Sequence, residues 1–419
     1  MRPFGKNRNV SHNLRAQSQQ IEPRNDTHAS EQHCVETNVA DRLQRFMLAV
    51  CRGLFLLVLT FGAQRASAQS VWSMGYYYPQ STGGLPALSS IDWTALTHVF
   101  MVGGQPNGNG TLTLTGNFAS LATALVSAAH AHGVKVIFSL TSVGGRTNFS
   151  GAVNTSESTF VANIMSLVNT YGFDGVDVDN EEQWNSNLMT TLLSDLRTQL
   201  GSKILTATAD DAQTGWAGPV PVCDSPGAGW DAAHATYLDR LSLMNYDIGN
   251  PGNGDPYTWH NSPLFSVKGQ YLWSADYLVK AFENCGIPAS KLNIGIPFYG
   301  DLYTANSQPY QPTGSGATAT QVGYNALVTR YNTSGVTYDS TAHVPWMTVS
   351  SSSYLSWENP QSITDKVNYV QTNGLGGWII WVLGWDYLPG NSPQDPLLDA
   401  IGKAFARPQA PTAVHISVN

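Results

Sequence analysis

The chain contains 419 residues, of which 42% are hydrophobic and 12% are charged, and its formal net charge at pH 7 is −8. This length suits one large α/β barrel or two to three ordinary domains. The acidic balance lacks the basic surface that nucleic-acid phosphates require, so we expect no nucleic-acid partner.

Residues 1–68 have the pattern of a polar leader followed by a secretory signal peptide. An apolar run over residues 54–61 precedes the small residues Ala66 and Ala68, which suit signal-peptidase cleavage. A transmembrane anchor is the rival interpretation, but it needs about 20 consecutive apolar residues and the run is shorter. We therefore predict cleavage after Ala68 and a secreted protein, extracellular or periplasmic, with no membrane contact afterwards. Met47 opens a complete signal by itself and is an alternative start of translation.

Cleavage changes both the charge and the cysteine content. Residues 1–68 contain nine of the 21 basic and five of the 29 acidic residues, so the mature chain carries 12 basic against 24 acidic side chains and a net charge of −12. Cys223 and Cys285 remain. They could pair in an oxidising compartment, but two cysteines are too few for a disulfide framework, so the apolar core must hold the fold.

Eight β-rich apolar runs alternate with helical patterns after the signal, which predicts a parallel sheet with crossover helices. The runs cover residues 71–78, 96–102, 134–140, 173–179, 204–209, 240–246, 292–299 and 376–382. Apolar residues lie on one helical face over residues 118–129 and again over residues 188–200. Eight such units in about 330 residues favour a closed (β/α)8 TIM barrel over an open doubly wound sheet.

The connection between the seventh and eighth strands is too long for a simple loop. It covers about residues 301–361 and contains a helical pattern and two strand-like pieces, VTYD and YLSW. Structureless loops of this size are rare in compact domains, so we predict a small α+β insertion on the upper rim of the barrel. The barrel with its insertion then covers residues 69–406, and residues 407–419 form a proline-marked linker or tail.

The stretch GFDGVDVDNEEQW, at residues 172–184, concentrates five carboxylates in a chain with few charges. Asp177, Asp179 and Glu181 alternate with two valines, so the period of a strand places the three acids on one face. In a barrel the valines face the helices and the acids point inward. Burial and like charge favour retention of a proton, which general acid catalysis on a glycosidic oxygen requires.

Other interpretations of the acidic stretch fit less well. A calcium loop counted from Asp177 would need glycine and glutamate where the chain has Glu182 and Leu188. A zinc site would need a histidine pair at ligand spacing near a strand end, which the sequence lacks. A solvated acidic turn is the simplest alternative, and the interleaved valines argue against it. Because neither metal site fits, we predict no metal. Because no GxGxxG turn follows a strand, we predict no cofactor.

DGVDVDNE is similar to the DGxDxDxE signature on the fourth barrel strand of glycoside hydrolase family 18, the chitinases and their relatives. Other matches follow in the family's order: GYYY, SIDWTALTHVF, SLTSVGG, LMNYD, GIPFYG and GLGGWIIWVLGWD. The resemblance covers about Val71 to Phe405. It implies a TIM barrel and a substrate-assisted retaining mechanism.

The resemblance also implies roles for the acids. Glu181 would protonate the glycosidic oxygen, and Asp179 would orient the N-acetyl group of the sugar, whose carbonyl attacks the anomeric carbon. Asp177 would share a proton with Asp179. Asp174 and Gly175 would be structural.

The same motifs imply a set of substrate contacts. Tyr246 would donate a hydrogen bond to the acetamido oxygen, and Trp381 would stack under the sugar at the cleavage point. Met244 and Asp247 would line that subsite. Tyr76 and Ser142 would support the aspartates.

Two features depart from the family or from a simple interpretation of it. Asn180 stands where chitinases often have a large aromatic residue. It faces away from the acids, so we expect the chemistry to survive and the effect to fall on loop packing and substrate preference. In the family's layout, Cys223 lies in an upper loop and Cys285 closes a helix at the lower end, so we do not expect a bond between them.

The function implied is that of a secreted, monomeric chitinase that binds chitin or N-acetylglucosamine oligosaccharides. One alternative is a peptidoglycan- or N-glycan-directed endo-β-N-acetylglucosaminidase of the same fold, for which Asn180 is the best argument. The other is a non-catalytic chitin-binding lectin, against which the presence of Glu181 argues.

Overall fold

The computed structural model describes residues 70–79, 84–141, 148–181, 186–209, 230–249, 251, 256–267 and 273–405. All of them belong to one compact unit, Gln69–Asn419. Among these residues, no helix combines the length and the apolar character needed to span a membrane.

Eight parallel strands close into a barrel. Numbered along the whole chain, they are β1 (Trp72–Tyr77), β2 (His98–Pro106), β4 (Lys135–Thr141), β5 (Gly175–Asp179), β6 (Ile204–Ala209), β7 (Arg240–Leu243), β8 (Leu292–Pro297) and β14 (Gly377–Trp381). Each strand pairs with the next, and β14 pairs with β1 to close the ring. The short β3 (Leu112–Leu114) adds an antiparallel hairpin to β2. The predicted (β/α)8 barrel is confirmed.

Helices cover the outside of the barrel between the strands. The described ones are α1 (Phe118–Ala131), α2 (Phe149–Tyr171), α3 (Ser186–Leu200), α4 (Ala232–Tyr237), α5 (Ala275–Asn284), α7 (Pro360–Thr372) and α8 (Pro396–Phe405). Helix α1 buries Phe118, Ala122, Leu125 and Ala129, which lie on the face that the helical period predicts. Helix α7 begins after Asn359, whose side chain accepts hydrogen bonds from two backbone N–H groups of the first turn.

A second sheet lies in the chain between β8 and α7. It consists of β9 (Tyr299–Thr304), β10 (Ala319–Gly323), β11 (Thr337–Asp339), β12 (Val344–Ser350) and β13 (Ser353–Ser356), in the antiparallel order β10-β9-β13-β12-β11, with α6 (Tyr324–Arg330) following β10. The rings of Tyr303 and Tyr354 stack between β9 and β13, with their centroids 4.6 Å apart. The predicted α+β insertion is confirmed, and VTYD and YLSW supply β11 and β13.

The close spacing of β5 and β6 depends on a glycine. A Cβ atom on Gly175 would lie 2.3 Å from the carbonyl oxygen of Ile204, so no larger residue fits there without moving the strands apart. Just before it, Asp174 accepts a hydrogen bond from the backbone N–H of Val136 at 2.7 Å and contacts His130 Nε2 at 2.8 Å. These contacts tie the start of β5 to β4 and α1.

Cys285 follows the last residue of α5 and takes part in a disulfide bond. Together with the predicted cleavage after Ala68, which leaves Cys223 as the one other cysteine, this bond argues against the expectation that Cys223 and Cys285 do not pair. The N–H of Ala232, the first residue of α4, donates to the carbonyl oxygen of Cys285 at 3.1 Å, so the start of α4 lies beside the end of α5. Cys34, Cys51 and Cys223 lie outside the described residues.

If the chain is cleaved after Ala68, non-reducing peptide mapping should join the peptides that contain Cys223 and Cys285, because residues 69–419 contain no third cysteine. Replacement of Cys285 by serine should lower the free energy of unfolding by about 2–4 kcal/mol, since the bond restricts the unfolded chain. Complete alkylation of Cys285 in the native protein without a reductant would contradict the pairing.

Candidate active site

Asp177 lies inside the barrel with no exposed surface. The hydroxyl of Thr206 donates to its Oδ1 at 2.6 Å, and the hydroxyls of Ser139 and Tyr76 donate to its Oδ2 at 3.0 and 3.3 Å. Burial raises the pKa of Asp177 from its ordinary value of 3.8 to about 6, and these hydrogen bonds oppose a larger rise. The carboxyl group can therefore gain or lose a proton in weakly acidic solution.

The register of three strands explains why hydroxyl groups meet the acids. Ser139 in β4 and Thr206 in β6 are the direct neighbours of Asp177 in β5. The same register repeats two residues later, where the neighbours are Thr141, Asp179 and Thr208. Since alternate residues of a strand face the same side, both rows point into the barrel.

Asp179 is 3% exposed and accepts a hydrogen bond from the hydroxyl of Thr141 at 3.2 Å. In the same row, Thr208 forms a hydrogen bond of 2.9 Å with the hydroxyl of Tyr76. Burial and the charges of Asp177 and Asp179 raise the pKa of Tyr76 well above its usual value. The phenol therefore stays protonated and remains a donor to Asp177.

Glu181 lies two residues beyond the end of β5 and is exposed. Asp177, Asp179 and Glu181, which we call the file of acids, thus extend from the closed interior at Asp177 to solvent at Glu181. Asn180, the residue that departs from the family pattern, is 7% exposed and so packs within the protein.

Tyr246 follows β7 and is 9% exposed. Its ring lies over Gly295 in β8, where a Cβ atom would approach the ring to 2.6 Å, so the glycine makes room for the tyrosine. The ring meets Tyr299 edge to face with a centroid separation of 6.1 Å. Tyr246 also contributes to the raised pKa of Tyr76, so the two phenols are electrostatic neighbours.

Asp247 is held by its backbone and by its side chain. Its φ of +59° is in the left-handed region, its N–H donates to Asn261 Oδ1 at 2.7 Å, and its Oδ1 accepts a hydrogen bond from the Tyr299 hydroxyl at 2.8 Å. Nearby Asp301 is 3% exposed. Burial, and then the charge of Asp247, raise the pKa of Asp301 well above its usual value, so Asp301 keeps its proton to a higher pH than an ordinary carboxyl group.

Trp381 ends β14 and is half-buried. Its ring meets Tyr76 edge to face at 5.2 Å between centroids and lies 5.5 Å from the ring of Tyr78. An indole that is partly exposed beside buried acids offers a flat apolar surface to a ligand at this end of the barrel.

The described contacts bring together Tyr76, Asp177, Asp179, Tyr246 and Trp381, and they join Asp247 to this group through Tyr299. Met244 is half-buried and packs against the core. Ser142 lies outside the described residues. Within the described ranges, no three His, Cys, Asp or Glu side chains are grouped so that they could hold a metal ion.

Sequence reasoning missed the residues that hold the acids in place. Ser139, Thr141, Thr206 and Thr208 occupy inward positions of their strands, so the alternation in ILTATA and its neighbours is a signal that could have identified them. Asn261 carries no such signal, because it lies in a long connection whose path only the tertiary structure defines.

Comparison with known proteins identifies the family of this barrel. Residues 73–386 match the family model described as Glycosyl hydrolases family 18. The chain belongs to glycosyl hydrolase family 18. The resemblance inferred from DGVDVDNE is thereby confirmed. This family 18 chain is 26% identical over 258 residues to Endochitinase 1 of Metarhizium anisopliae, an alignment that covers 57% of this chain and 59% of the relative, less than two thirds of the relative's length.

Solved structures share the fold. A class V chitinase from Nicotiana tobaccum, crystallised as a Glu→Gln mutant in complex with NAG4, is 24% identical and superposes with a TM-score of 0.66 over 81% of this chain and 99% of its own. The chitinase-like agglutinin RobpsCRA from Robinia pseudoacacia is 25% identical, with a TM-score of 0.65 over 79% of this chain and 99% of its own. The family 18 barrel therefore occurs both in proteins called chitinases and in one called an agglutinin.

The raised pKa of Asp177 predicts a pH-dependent stability. Because folding raises this pKa from 3.8 to about 6, the folded chain binds the proton more tightly, and the resulting stabilisation, present below pH 3.8, is lost as the pH rises through about 6. As the pH rises from 4 to 7, the wild type should lose about 2 kcal/mol of stability to urea unfolding that Asp177→Asn does not lose.

The matched control is Ser139→Ala, which removes a hydrogen bond but leaves the carboxyl group to titrate, so its stability should fall with pH as the wild type does. Parallel pH profiles for the wild type and Asp177→Asn would show that Asp177 does not titrate in this range.

Proposed function

We propose that this family 18 protein is a secreted, monomeric chitinase that hydrolyses β-1,4 linkages between N-acetylglucosamine residues with retention of configuration. The observation that carries the proposal is the file of acids on β5, which runs from buried Asp177 through Asp179 to exposed Glu181. An acid at the exposed end can reach a substrate, while the acids behind it hold charge and a proton away from water.

Glu181 is the general acid and base in this proposal. In the first step it gives its proton to the glycosidic oxygen while the acetamido carbonyl oxygen of the sugar attacks the anomeric carbon. The bond from that carbon to the glycosidic oxygen breaks, which releases the shortened chain and leaves an oxazolinium intermediate. In the second step the Glu181 carboxylate takes a proton from water, whose oxygen attacks the anomeric carbon and restores the acetamide.

Asp179 and Asp177 support the attacking group. Asp179 accepts a hydrogen bond from the acetamido N–H, which orients the carbonyl and stabilises the positive charge of the intermediate. Asp177 lies one row deeper, and its raised pKa of about 6 suits it to hold the proton that the pair of acids shares. The hydroxyls around Asp177 fix the orientation of its carboxyl group.

Tyr246, Asp247, Met244 and Trp381 form the subsite around the cleavage point in this proposal. Tyr246 donates to the acetamido oxygen, and its position between β8 and Tyr299 limits the motion of the ring. Trp381 stacks against the apolar face of the sugar. The NAG4 bound to the Nicotiana tobaccum chitinase supports N-acetylglucosamine oligosaccharides as the ligand class.

A chitin-binding lectin is the second candidate, because the Robinia pseudoacacia agglutinin has the same fold and a similar level of identity. Glu181, Asp179 and Asp177 are all present in this chain, which favours the enzyme. A peptidoglycan- or N-glycan-directed glucosaminidase is the third candidate, since Asn180 is buried next to the acids at a position where chitinases often have a large aromatic residue.

We predict that Glu181→Gln lowers kcat on chitin oligosaccharides by about 10²–10⁴-fold, the usual contribution of a general acid, with (GlcNAc)4 binding retained. The neighbouring Glu182→Gln is the matched control: it removes a carboxylate that lies just outside the DGxDxDxE motif, so its turnover should stay near that of the wild type. Wild-type turnover by Glu181→Gln would refute the assignment, and a wild-type protein that binds (GlcNAc)4 without cleaving it would be a lectin.

Because the acetamido group is the nucleophile, fully deacetylated oligomers of the same length should not be cleaved, while the acetylated oligomers are. Mass spectrometry of the products from chitin, peptidoglycan and a high-mannose glycopeptide should show that chitin is cleaved fastest. Cleavage of the deacetylated oligomers would point to a nucleophile supplied by the protein, and preference for either other polymer would select the third candidate.

A further inference from the structure

Five consecutive residues in the connection between β7 and α5, Thr258–Ser262, are almost completely buried. Each is 0 or 1% exposed, although four of the five side chains are polar. Connections normally run over the surface, because buried polar groups destabilise a protein unless they find partners. These residues must therefore satisfy their polar groups inside the protein, and we call them the buried segment.

In the second half of the buried segment, Asn261 holds Asp247, the residue that follows Tyr246. Asn261 Oδ1 accepts the N–H of Asp247 at 2.7 Å, and the carbonyl oxygen of Asn261 accepts the N–H of Ile248 at 3.1 Å. Asp247 has a left-handed φ of +59°, a conformation that is unfavourable for a residue other than glycine. The Asn261 side chain fixes the turn in which the chain leaves β7.

The next residue of the segment holds the other neighbour of Tyr246. The hydroxyl of Ser262 donates to the carbonyl oxygen of Asn245 at 2.7 Å and accepts a hydrogen bond from Lys366 Nζ at 2.6 Å. The Asn245 side chain in turn bonds to the N–H and carbonyl of Gly295 at 2.6 and 2.9 Å. Both residues that flank Tyr246 are thus fixed by the buried segment and by β8.

The first half of the buried segment bonds to the α+β insertion. The Tyr354 hydroxyl in β13 donates to the carbonyl oxygen of Trp259 at 2.6 Å. His260 contacts Ser356 Oγ through Nδ1 and Asp339 Oδ2 through Nε2, both at 3.2 Å. One short segment therefore bonds to the insertion on one side and to the neighbours of Tyr246 on the other.

We propose that the buried segment is a positioning element of the active site, with Asn261 as its central positioning residue, and that the insertion sets the position of Tyr246 through it. The inference rests on the proposed function, in which Tyr246 donates to the acetamido oxygen. A displacement of a reacting group by about 1 Å can cost about 10²-fold in rate, so a loosened turn at Asp247 slows the reaction without removing a catalytic group.

The first test replaces Asn261 with alanine and measures kcat and KM on (GlcNAc)4. We expect kcat to fall about 10–100-fold and KM to change less than about threefold, because the interaction lost is one made in the transition state. Asn261→Asp keeps an acceptor for the Asp247 N–H and should recover most of the loss.

A double-mutant cycle with Tyr246→Phe separates positioning from general destabilisation. Tyr246→Phe alone should lower kcat, and adding Asn261→Ala should then cost less than about twofold, because both changes remove the same contact. The control is Asn293→Ala, which removes an equally buried amide at the lower end of β8 and should leave kcat within about twofold.

A milder variant tests the link to the insertion. Tyr354→Phe removes only the hydroxyl that bonds to Trp259 and keeps the stacked ring, so it should fold and lower kcat about 3–10-fold. It also provides the test if Asn261→Ala does not fold.

The outcomes are distinguishable. If Tyr246→Phe leaves kcat unchanged, the proposed role of Tyr246 fails, and this inference fails with it. If Tyr246→Phe slows the reaction but Asn261→Ala lowers kcat by the same factor in both backgrounds, or Tyr354→Phe retains wild-type kcat, the proposed function stands and the positioning role is overturned.

Discussion

An aspartate with no exposed surface inside a barrel is stable only if donors surround its oxygens, because transfer of a bare carboxylate from water costs several kcal/mol. Asp177 receives three such donors, from Thr206, Ser139 and Tyr76. They come from β6, β4 and β1, so the register of these strands and the closure of the barrel are all needed to make the site. The same burial that requires the donors raises the pKa of Asp177 toward neutrality.

Two buried aspartates of this protein show how the surroundings of a carboxyl group affect its pKa. Asp177 and Asp301 both have raised pKa values, and burial is the first cause in each. Asp177 is surrounded by neutral hydroxyls that stabilise its charged form and limit the rise. Asp301 has the charge of Asp247 close by, which opposes its ionisation further. The two carboxyl groups, on β5 and β9, thus differ in what acts on their ionisation: hydroxyl donors favour it at Asp177, and a neighbouring negative charge opposes it at Asp301.

The α+β insertion is more than an addition to the rim. Through Trp259 and His260 it bonds to the buried segment, which bonds in turn to the residues on either side of Tyr246. Beneath this segment, Lys366 and Glu358 form a completely buried ion pair that also bonds to Ser262. A buried pair gives little net stability, but removal of either partner would leave an unpaired charge in the interior, which is strongly destabilising.

The barrel, the insertion and the file of acids all follow from the amino-acid sequence. Periods of two and 3.6 decide which face of a strand or helix is apolar, so the alternation of Val176 and Val178 with the acids is enough to assign Asp177 to the interior. The roles of Glu181, Asp179 and Tyr246 remain predictions from the family motif. Contacts between segments distant in the chain depend instead on the tertiary fold: Asn261 beneath Asp247, Tyr354 on Trp259, and the disulfide of Cys285. Local periodicity carries no information about such pairs, because they form only when the path of a long connection and the register of several strands have been fixed together.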